Sequence, residues 1–236
     1  PLPISTSLHG AGIRDIHVDK QNNLWVASYS GVLKKSGDSE QLLTLQDGLP
    51  ALDVRVIFSD SHDNMWIGTR SGGIAMMTGT KVVAVFDKKK GMPSNHILSL
   101  AEDHSGNIFA GTHSGGLVKI SPEHKIETFH LKDDDSGILI FNTHIDNDDR
   151  QWVVAIHGLF YFDGKKFIKI ILDEGQRGEN FFDWVEDDAG NVWLTSNIGV
   201  AQLRKSDVLD FIEGKIKLVR ARRYDNNDGI LNKECT

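Results

Sequence analysis

The chain has 236 residues, of which 39% are hydrophobic and 25% are charged, the ordinary balance of a globular protein. Its formal net charge of -7 argues against a nucleic-acid partner, because phosphate binding requires a basic surface. The single cysteine, Cys235, excludes an internal disulfide and a cysteine-based metal site.

An aromatic residue recurs along the chain with a fixed set of neighbours. In "DKQNNLWVASYSGV", which starts at Asp19, the aromatic residue follows the aspartate by six positions and precedes a glycine by six. Four later segments repeat this spacing, and the aromatic residues are 41, 43, 43 and 41 positions apart. They are Trp25, Trp66, Phe109, Trp152 and Trp193, and their glycines are Gly31, Gly72, Gly115, Gly158 and Gly199. A period of about 40–45 residues is typical of repeat architectures.

Each repeat divides into four short apolar runs separated by turn residues. In the second repeat these runs cover 54–60, 65–69, 73–77 and 81–86, and they predict antiparallel strands joined by hairpins. A sheet that is apolar on both faces cannot stand alone, and radial stacking of such sheets buries both faces. The sequence therefore predicts an all-β fold, a β-propeller of four-stranded antiparallel blades with five blades visible.

The repeat spacing also predicts where the blades lie. The expected blades cover approximately 11–46, 53–88, 96–131, 138–172 and 181–224, and residues 225–236 are expected to start the link to a further blade. The five aromatic residues Trp25, Trp66, Phe109, Trp152 and Trp193 are expected to fill the space between neighbouring blades, as structural residues. Each glycine is expected to supply a positive φ in a tight hairpin, and each aspartate to cap a turn.

One segment departs from the strand pattern. Residues 206–213 read "SDVLDFIE", with Ser206 as a candidate N-cap and Gly214 just past the end. We expect a short helical insertion here, between the third and fourth strands of the fifth blade.

The repeats resemble a known family. The core "D-x-x-G/D-N-x-W-[IVL]-[GA]-[TS]-x-x-G-[GV]" and the links "QDGLPALDV" (46–54) and "KKGMPSNHI" (89–97) are similar to the two-component regulator propeller repeat. Phe109 in place of Trp and Arg150 in place of Asn are departures from the pattern. The resemblance implies a sensory propeller of a bacterial histidine kinase, hybrid two-component protein or diguanylate cyclase, commonly with seven blades, so the chain is expected to be a fragment of a longer protein.

The same resemblance implies a location and a role. It places the chain in the periplasmic, extracytoplasmic part of an inner-membrane protein, attached to the membrane only by segments outside this chain. The chain itself is then not an enzyme, although the full-length protein carries a kinase or cyclase domain. An incomplete ring of blades would leave apolar faces exposed, so self-association through these faces is expected.

Candidate ligand-binding residues lie on one face of the predicted blades. Hairpins between second and third strands emerge on the same side as the links between blades, and residues there vary between repeats. The hairpin candidates are Tyr29, Arg70, His113, His157 and Asn197, and the link candidates are Asn95, His96, Asn142 and Asn180. A small-molecule or carbohydrate-like signal, or a protein partner, is expected to bind there.

Two further functions remain open from the sequence. A propeller lyase similar to streptogramin lyase would need an acid/base pair and a metal on the same face, where His113 and His157 lie without a carboxylate at a matching position. A pure protein-interaction scaffold is the other alternative. No metal site, cofactor or catalytic residue is predicted, because the ten histidines form none of the known metal-binding or catalytic motifs.

Overall fold

The fold consists of strands joined by short turns, with one helix near the C-terminal end. A computed structural model describes Leu8 and residues 12–131, 139–156, 158–173 and 179–230. Its twenty strands are β1 Ile13–Val18, β2 Leu24–Ser28, β3 Gly31–Ser36, β4 Ser39–Leu43, β5 Val54–Ser59, β6 Asn64–Thr69, β7 Ile74–Thr78, β8 Lys81–Phe86, β9 Ile97–Glu102, β10 Ile108–Thr112, β11 Leu117–Ile120, β12 Ile126–Phe129, β13 Ile140–Ile145, β14 Gln151–Ala155, β15 Gly158–Phe162, β16 Phe167–Lys169, β17 Phe181–Glu186, β18 Asn191–Ser196, β19 Gly199–Arg204 and β20 Arg222–Tyr224. The α-helix is α1, Lys205–Ile212, and short 3-10 turns cover Leu45–Asp47, Lys88–Lys90 and Asn226–Asp228.

The strands form five four-stranded antiparallel sheets, each built from four consecutive strands in chain order. This up-and-down order is that of β-propeller blades. The all-β fold class and the five four-stranded blades predicted from the sequence are confirmed. In the part of the chain that the structure describes, no helix has the length and apolarity needed to cross a membrane.

The chain divides into two compact units, Pro1–His130 and Leu131–Thr236. The first unit contains the sheets β1–β4, β5–β8 and β9–β12, and the second contains β13–β16 and β17–β20. Within the first unit the first strands of the sheets are neighbours, with β1 beside β5 and β5 beside β9. Within the second unit β13 lies beside β17 in the same way.

Tryptophan side chains fill the space between neighbouring sheets of the first unit. Trp25, in the first sheet, is 1% exposed and packs in one apolar cluster with Ile57 and Ile67 of the second sheet. Trp66 is buried in the next cluster, which joins the second sheet to the third through residues such as Ile97. Burying apolar side chains from both sheets in shared clusters stabilises the stack, at about 25 cal/mol per Å² of apolar surface removed from water.

The second unit repeats this packing around Trp152, which is fully buried in one cluster with the fifth sheet. Its ring stacks on that of Trp184 in β17, with centroids 5.0 Å apart and planes inclined by 9°. Trp193 is half-buried and packs on Tyr224 of its own sheet at 5.7 Å. Phe109, in the third sheet, is 6% exposed.

The repeated aspartate does more than close a turn. Oδ1 of Asp60 accepts the backbone N–H groups of His62 and Asn64, as a turn cap should. Its Oδ2 accepts the Asn64 side chain and also the indole N–H of Trp66 at 2.8 Å. The sequence analysis missed this last bond, which satisfies the polar edge of a buried indole.

The hairpin glycine lies at a different position in one repeat from the one predicted. Gly31 has a φ of 115°, but in the second sheet the positive φ belongs to Gly73 and not to Gly72. A Cβ on Gly31 would lie 2.2 Å from the carbonyl oxygen of Leu43, and one on Gly73 would lie 2.1 Å from that of Phe86. The same close approach of the fourth strand therefore selects glycine in both sheets, and the longer loop of the second sheet moves the position by one.

The helical insertion lies between β19 and β20 and begins one residue earlier than predicted. Its N-cap is Arg204 and not Ser206, because the chain passes from β19 directly into the helix and Lys205 N donates to the Gly190 carbonyl oxygen. The Lys205 ammonium lies 3.0 Å from Oδ2 of Asp146, which ties the start of the helix to the fourth sheet.

Candidate functional site

One backbone hydrogen bond recurs at the hairpin end of all five sheets. The residue four positions after the repeated aromatic donates its N–H to the carbonyl oxygen of the residue just before the first strand. The five pairs are Tyr29 with Gly12, Arg70 with Asp53, His113 with His96, Ile156 with Leu139, and Asn197 with Asn180. The bond fixes ten equivalent backbone positions, so their side chains can change without altering the scaffold.

This register corrects one of the candidate residues. The fourth-sheet residue equivalent to Tyr29, Arg70 and His113 is Ile156, and not the predicted His157. His157 itself lies outside the described residues. The hairpin of the fourth sheet reads Ala-Ile-His-Gly, so the histidine comes one position after the residue that makes the recurring bond.

The structure assigns two of the predicted asparagines to internal hydrogen bonds. Asn95 accepts the N–H of Lys88 through Oδ1 at 2.8 Å and donates through Nδ2 to the Ser71 carbonyl oxygen at 3.1 Å. Asn142 lies within β13, and its side-chain amide donates to the carboxylate of Asp183 in β17. Both residues therefore join parts of the scaffold, because their amide groups already have partners.

Asn180 and Asn197 bond to each other in the fifth sheet. The Asn180 N–H donates to Oδ1 of Asn197 at 2.8 Å, and the Asn197 N–H donates to the Asn180 carbonyl oxygen at 3.2 Å. They lie in the second unit, and the remaining predicted residues, Tyr29, Arg70, His96 and His113, lie in the first.

We call the hairpin end of the first unit the hairpin face, defined by Tyr29, Arg70, His113 and the paired Gly12, Asp53 and His96. The rings of His96 and His113 stack on it, with centroids 4.6 Å apart and planes inclined by 7°. His113 is exposed, whereas Nε2 of His96 is buried and has no hydrogen-bond partner within the described residues. The two stacked rings thus form a flat aromatic surface, and one polar atom of the pair is buried without a hydrogen-bond partner.

Two arginines that the sequence analysis missed belong to the same face. Arg14 and Arg55 lie at the starts of β1 and β5, each at a β-bulge. The pairing of β5 with β6 steps from Val54–Thr69 to Val56–Gly68, and so passes over Arg55. The pairing of β1 with β2 passes over Arg14 in the same way. A bulge leaves one residue unpaired and redirects its side chain.

The two bulged arginines contact the predicted residues of the face. The Arg14 guanidinium lies over the ring of Tyr29, 5.8 Å from its centroid. Burial lowers the pKa of Arg55, repulsion by Arg14 and Arg70 lowers it further, and the Tyr29 hydroxyl opposes the shift. We call Arg14, Arg55 and Arg70 the arginine cluster.

The electrostatics of His96 reflect the same concentration of positive charge. Burial, together with repulsion by His113, Arg55 and Arg70, lowers the pKa of His96 to about 4. Asp53 acts in the opposite direction. His96 is therefore neutral near pH 7, and its free nitrogen can donate or accept a hydrogen bond.

Asp53 also corrects an expectation about carboxylates. The sequence analysis found no carboxylate at a matching position on this face, but Asp53 occupies the position equivalent to His96 in the second sheet. Its Oδ1 accepts a hydrogen bond from the Ser71 hydroxyl at 3.0 Å. Among the described residues, no group of three or more His, Cys, Asp and Glu side chains is arranged to hold a metal ion.

Two cavities lie away from the hairpin face. One, of about 360 Å³, lies at the opposite end of the second and third sheets and is lined by Trp66, Glu102 and His104 among others. The other, of about 580 Å³, lies beside α1 in the second unit and is lined by Arg204, Asp207 and Arg220 among others. Neither cavity contains a residue predicted to bind a ligand.

The fold and the repeat can be compared with known proteins. A family model described as "Two component regulator propeller" matches residues 48–71 and 91–114. Comparison of the sequence with curated proteins gives no match.

Solved structures share the fold at low sequence identity. The extracellular domain of BT3049 from B. thetaiotaomicron, a protein classed as a hybrid two component system, is 22% identical to this chain. The TM-score is 0.76, over 94% of this chain and 30% of that domain. The extracellular domain of BT4673 from B. thetaiotaomicron, a protein classed as a one component system, is 17% identical to this chain. The TM-score is 0.68, over 91% of this chain and 30% of that domain. Virginiamycin B lyase from Staphylococcus aureus is 12% identical, with a TM-score of 0.69 over 91% of this chain and 70% of its own.

The chain therefore spans about 30% of the length of the two extracellular domains that it matches. At these identities the likeness shows the fold. The match of the family model adds the repeat type, on the two links and hairpins that suggested it in the sequence. Residues 48–71 and 91–114 thus carry two-component regulator propeller repeats within a β-propeller fold, which confirms the repeat type recognised from the sequence.

Proposed function

We propose that the chain is a sensory domain that binds its signal or partner on the hairpin face of the first unit and performs no reaction itself. The observation that supports this most is the clustering of Tyr29, Arg55, Arg70, His96 and His113 at equivalent ends of three sheets. In a repeat scaffold, variable side chains on a constant backbone are typical of a binding surface.

The similar structures support a proposal about the setting of this domain. The two B. thetaiotaomicron structures are extracellular domains of proteins classed as two-component and one-component systems. By analogy, the chain forms part of the periplasmic region of an inner-membrane signalling protein, whose output domain is a histidine kinase or a diguanylate cyclase. This step rests on likeness of fold and of repeat.

A bound signal must act through a difference in affinity between two states of the protein. The hairpin face joins the starts of β1, β5 and β9, which are neighbours in the first unit. A small molecule, a carbohydrate or a protein partner that contacts two of these strands would favour one packing of the sheets over another. The full-length protein would convert this shift into a change of output.

The test uses the full-length protein in cells that respond to a signal. Replacing Arg70→Ala and His113→Ala together is expected to abolish the response at an unchanged protein level, because both side chains are exposed and support no core packing. Lys125→Ala with His104→Ala is the matched control, since it removes one cation and one exposed histidine at the opposite end of the same sheets. An unaltered response in R70A/H113A would contradict the proposal.

A lyase is the second candidate function. The fold of virginiamycin B lyase favours it, as does the carboxylate of Asp53 near His96. Incubation of the chain with a streptogramin B antibiotic and a divalent metal ion distinguishes the two functions. The sensory proposal predicts no turnover under these conditions.

Self-association remains a proposal of the same kind. Ile16 and Val18 of β1 are 59% and 55% exposed, so they provide apolar surface on the first sheet. Sedimentation of the wild type and of I16D/V18D tests it, and a monomeric wild type would refute it.

A further inference from the structure

The hairpin face of the first unit has an excess of positive charge that the fold does not neutralise. No carboxylate of the described residues forms an ion pair with Arg14, Arg55 or Arg70, although the chain as a whole has a net charge of -7. The acid beside them is Asp53, whose Oδ1 accepts from Ser71. Placing like charges together is unfavourable in the free protein, so the arrangement calls for a compensating group.

Strand pairing does not require these arginines. Arg14 and Arg55 lie at bulges, where the residue has no partner on the adjacent strand. The same repeat position, eleven residues before the aromatic, is occupied by Leu98, Phe141 and Phe182 in the other sheets. The bulge therefore does not require an arginine, and arginine occurs there only in the first two repeats.

Aromatic surfaces flank the charges. The Tyr29 ring lies beneath Arg14, and the stacked His96 and His113 rings lie near Arg55 and Arg70. A guanidinium group matches the geometry of a carboxylate or sulfate, whose two oxygens can accept parallel N–H bonds. Rings beside such a group offer contact area for the apolar faces of an organic ligand.

We propose that the hairpin face binds a small organic anion, with the arginine cluster holding its carboxylate or sulfate group and the rings of Tyr29, His96 and His113 contacting the rest of the ligand. This inference rests on the proposed function and names the ligand class of the same face.

The probes for the test are glucuronate, glucose 6-sulfate and glucose, which share one sugar ring and differ in the charged group. Each is titrated into the chain and followed by amide NMR. Glucuronate or glucose 6-sulfate is expected to shift the signals of residues 53–56, 96 and 113 saturably, and glucose is expected to bind at least tenfold more weakly. Comparison of the two anions tells a carboxylate site from a sulfate site.

Two variants assign the effect to the cluster. R14Q/R55Q is expected to weaken anion binding at least tenfold, because two charged donors are lost. R204Q/R220Q removes the same charge from the second unit and is expected to bind like the wild type. R70Q, at an exposed position, is a second test should the double variant fold poorly.

Three results would overturn the inference: no saturable shift with either anion, equal binding of glucose, or unchanged binding in the variants of the cluster. The proposed function is tested separately by the cellular response of R70A/H113A. If that response is lost while neither anion binds, the face is a sensory site for another ligand class. If anions bind but the response persists, the ligand class stands and the sensory role of the face fails.

Discussion

The indole Nε1 of Trp66 donates a 2.8 Å hydrogen bond to Oδ2 of Asp60, six residues earlier in the chain. Trp25 and Trp193 make the same bond to Asp19 and Asp187, each at 2.8 Å. For Trp25 and Trp66 the bond joins the residue that fills the space between sheets to the residue that closes the turn between the first two strands. In the third repeat the ring of Phe109 has no N–H group and cannot donate this bond. The third repeat can therefore serve as a control for the effect of the bond in the other repeats.

A double-mutant cycle measures this bond. We expect Trp66→Phe and Asp60→Asn to be coupled by about 1.5–3 kcal/mol in the free energy of unfolding, the range for hydrogen bonds to charged groups. Urea unfolding of the four proteins gives the value. Phe109→Leu with Asp103→Asn is the control cycle, for which a coupling below about 0.5 kcal/mol is expected. Equal coupling in the two cycles would show that packing, not the bond, links the residues.

The same bond controls an acid titration. The hydrogen bond from Trp193, followed by those from Asn191, lowers the pKa of Asp187 from 3.8 to about 2. A carboxyl group with a depressed pKa stabilises the fold above pH 3.8, and this contribution is lost as the pH falls towards 2. In W193F the pKa of Asp187, followed by carbon NMR, is expected to rise towards 3.8. It should not change in W66F, and an unchanged value in W193F would rule out the indole as the cause.

The lowered pKa of His96 makes the stability of the fold depend on pH between 6.5 and about 4. Burial, and then repulsion by His113, Arg55 and Arg70, lowers its pKa from 6.5 to about 4, against the opposing effect of Asp53. Between these values His96 is protonated in the unfolded chain but neutral in the folded protein. The free energy of unfolding therefore falls as the pH decreases from 6.5 to about 4. Urea midpoints across this range are expected to change less in H96Q than in the wild type or in H104A. Parallel curves for all three proteins would contradict this assignment.

Arg223 neutralises a buried carboxylate in the second unit. Its Nη2 lies 3.3 Å from Oε2 of Glu179, whose side chain is 1% exposed, and its Nη1 lies 3.5 Å from Asp173. Burial raises the pKa of Glu179, and Arg223 opposes the rise. R223Q is expected to lose about 3 kcal/mol of unfolding free energy, because it leaves a charge buried without its partner.

The pH dependence of R223Q checks the mechanism. A carboxyl group with a raised pKa holds a proton in the folded state, so its contribution to stability declines as the pH rises through that pKa. R223Q should therefore regain stability at low pH, and E179Q/R223Q should be more stable than R223Q at neutral pH. If E179Q/R223Q is as unstable as R223Q, the loss comes from packing of the arginine.

The sequence was sufficient for the fold because the packing residue of each blade is a large aromatic at a constant spacing. Trp25 and Trp66 mark the second strand of each sheet, and the other strands follow from the turn residues around them. The hairpin glycine was misplaced in the second repeat, because a loop that is longer by one residue keeps the aspartate and tryptophan in place while it moves Gly73.

The site was predicted only in part. The sequence indicates Tyr29, Arg70, His96 and His113 of the proposed site, because they lie in loops at fixed distances from the aromatic residues. Arg14 and Arg55 were missed, although both precede an aromatic by eleven residues. In a regular strand they would alternate with their neighbours, and a bulge depends on the pairing register, which a single strand does not reveal.

At the bulged position the side chain is not restricted by strand pairing. Ladder hydrogen bonds bypass this residue, and Arg, Leu and Phe occupy it in different sheets. Its side chain can still pack between sheets, as Phe141 does against Phe182, with ring centroids 5.0 Å apart. A substitution at this position can change the chemistry of the hairpin end of a blade without changing the strand pairing. One backbone architecture can thus carry different side chains at the same place in each blade.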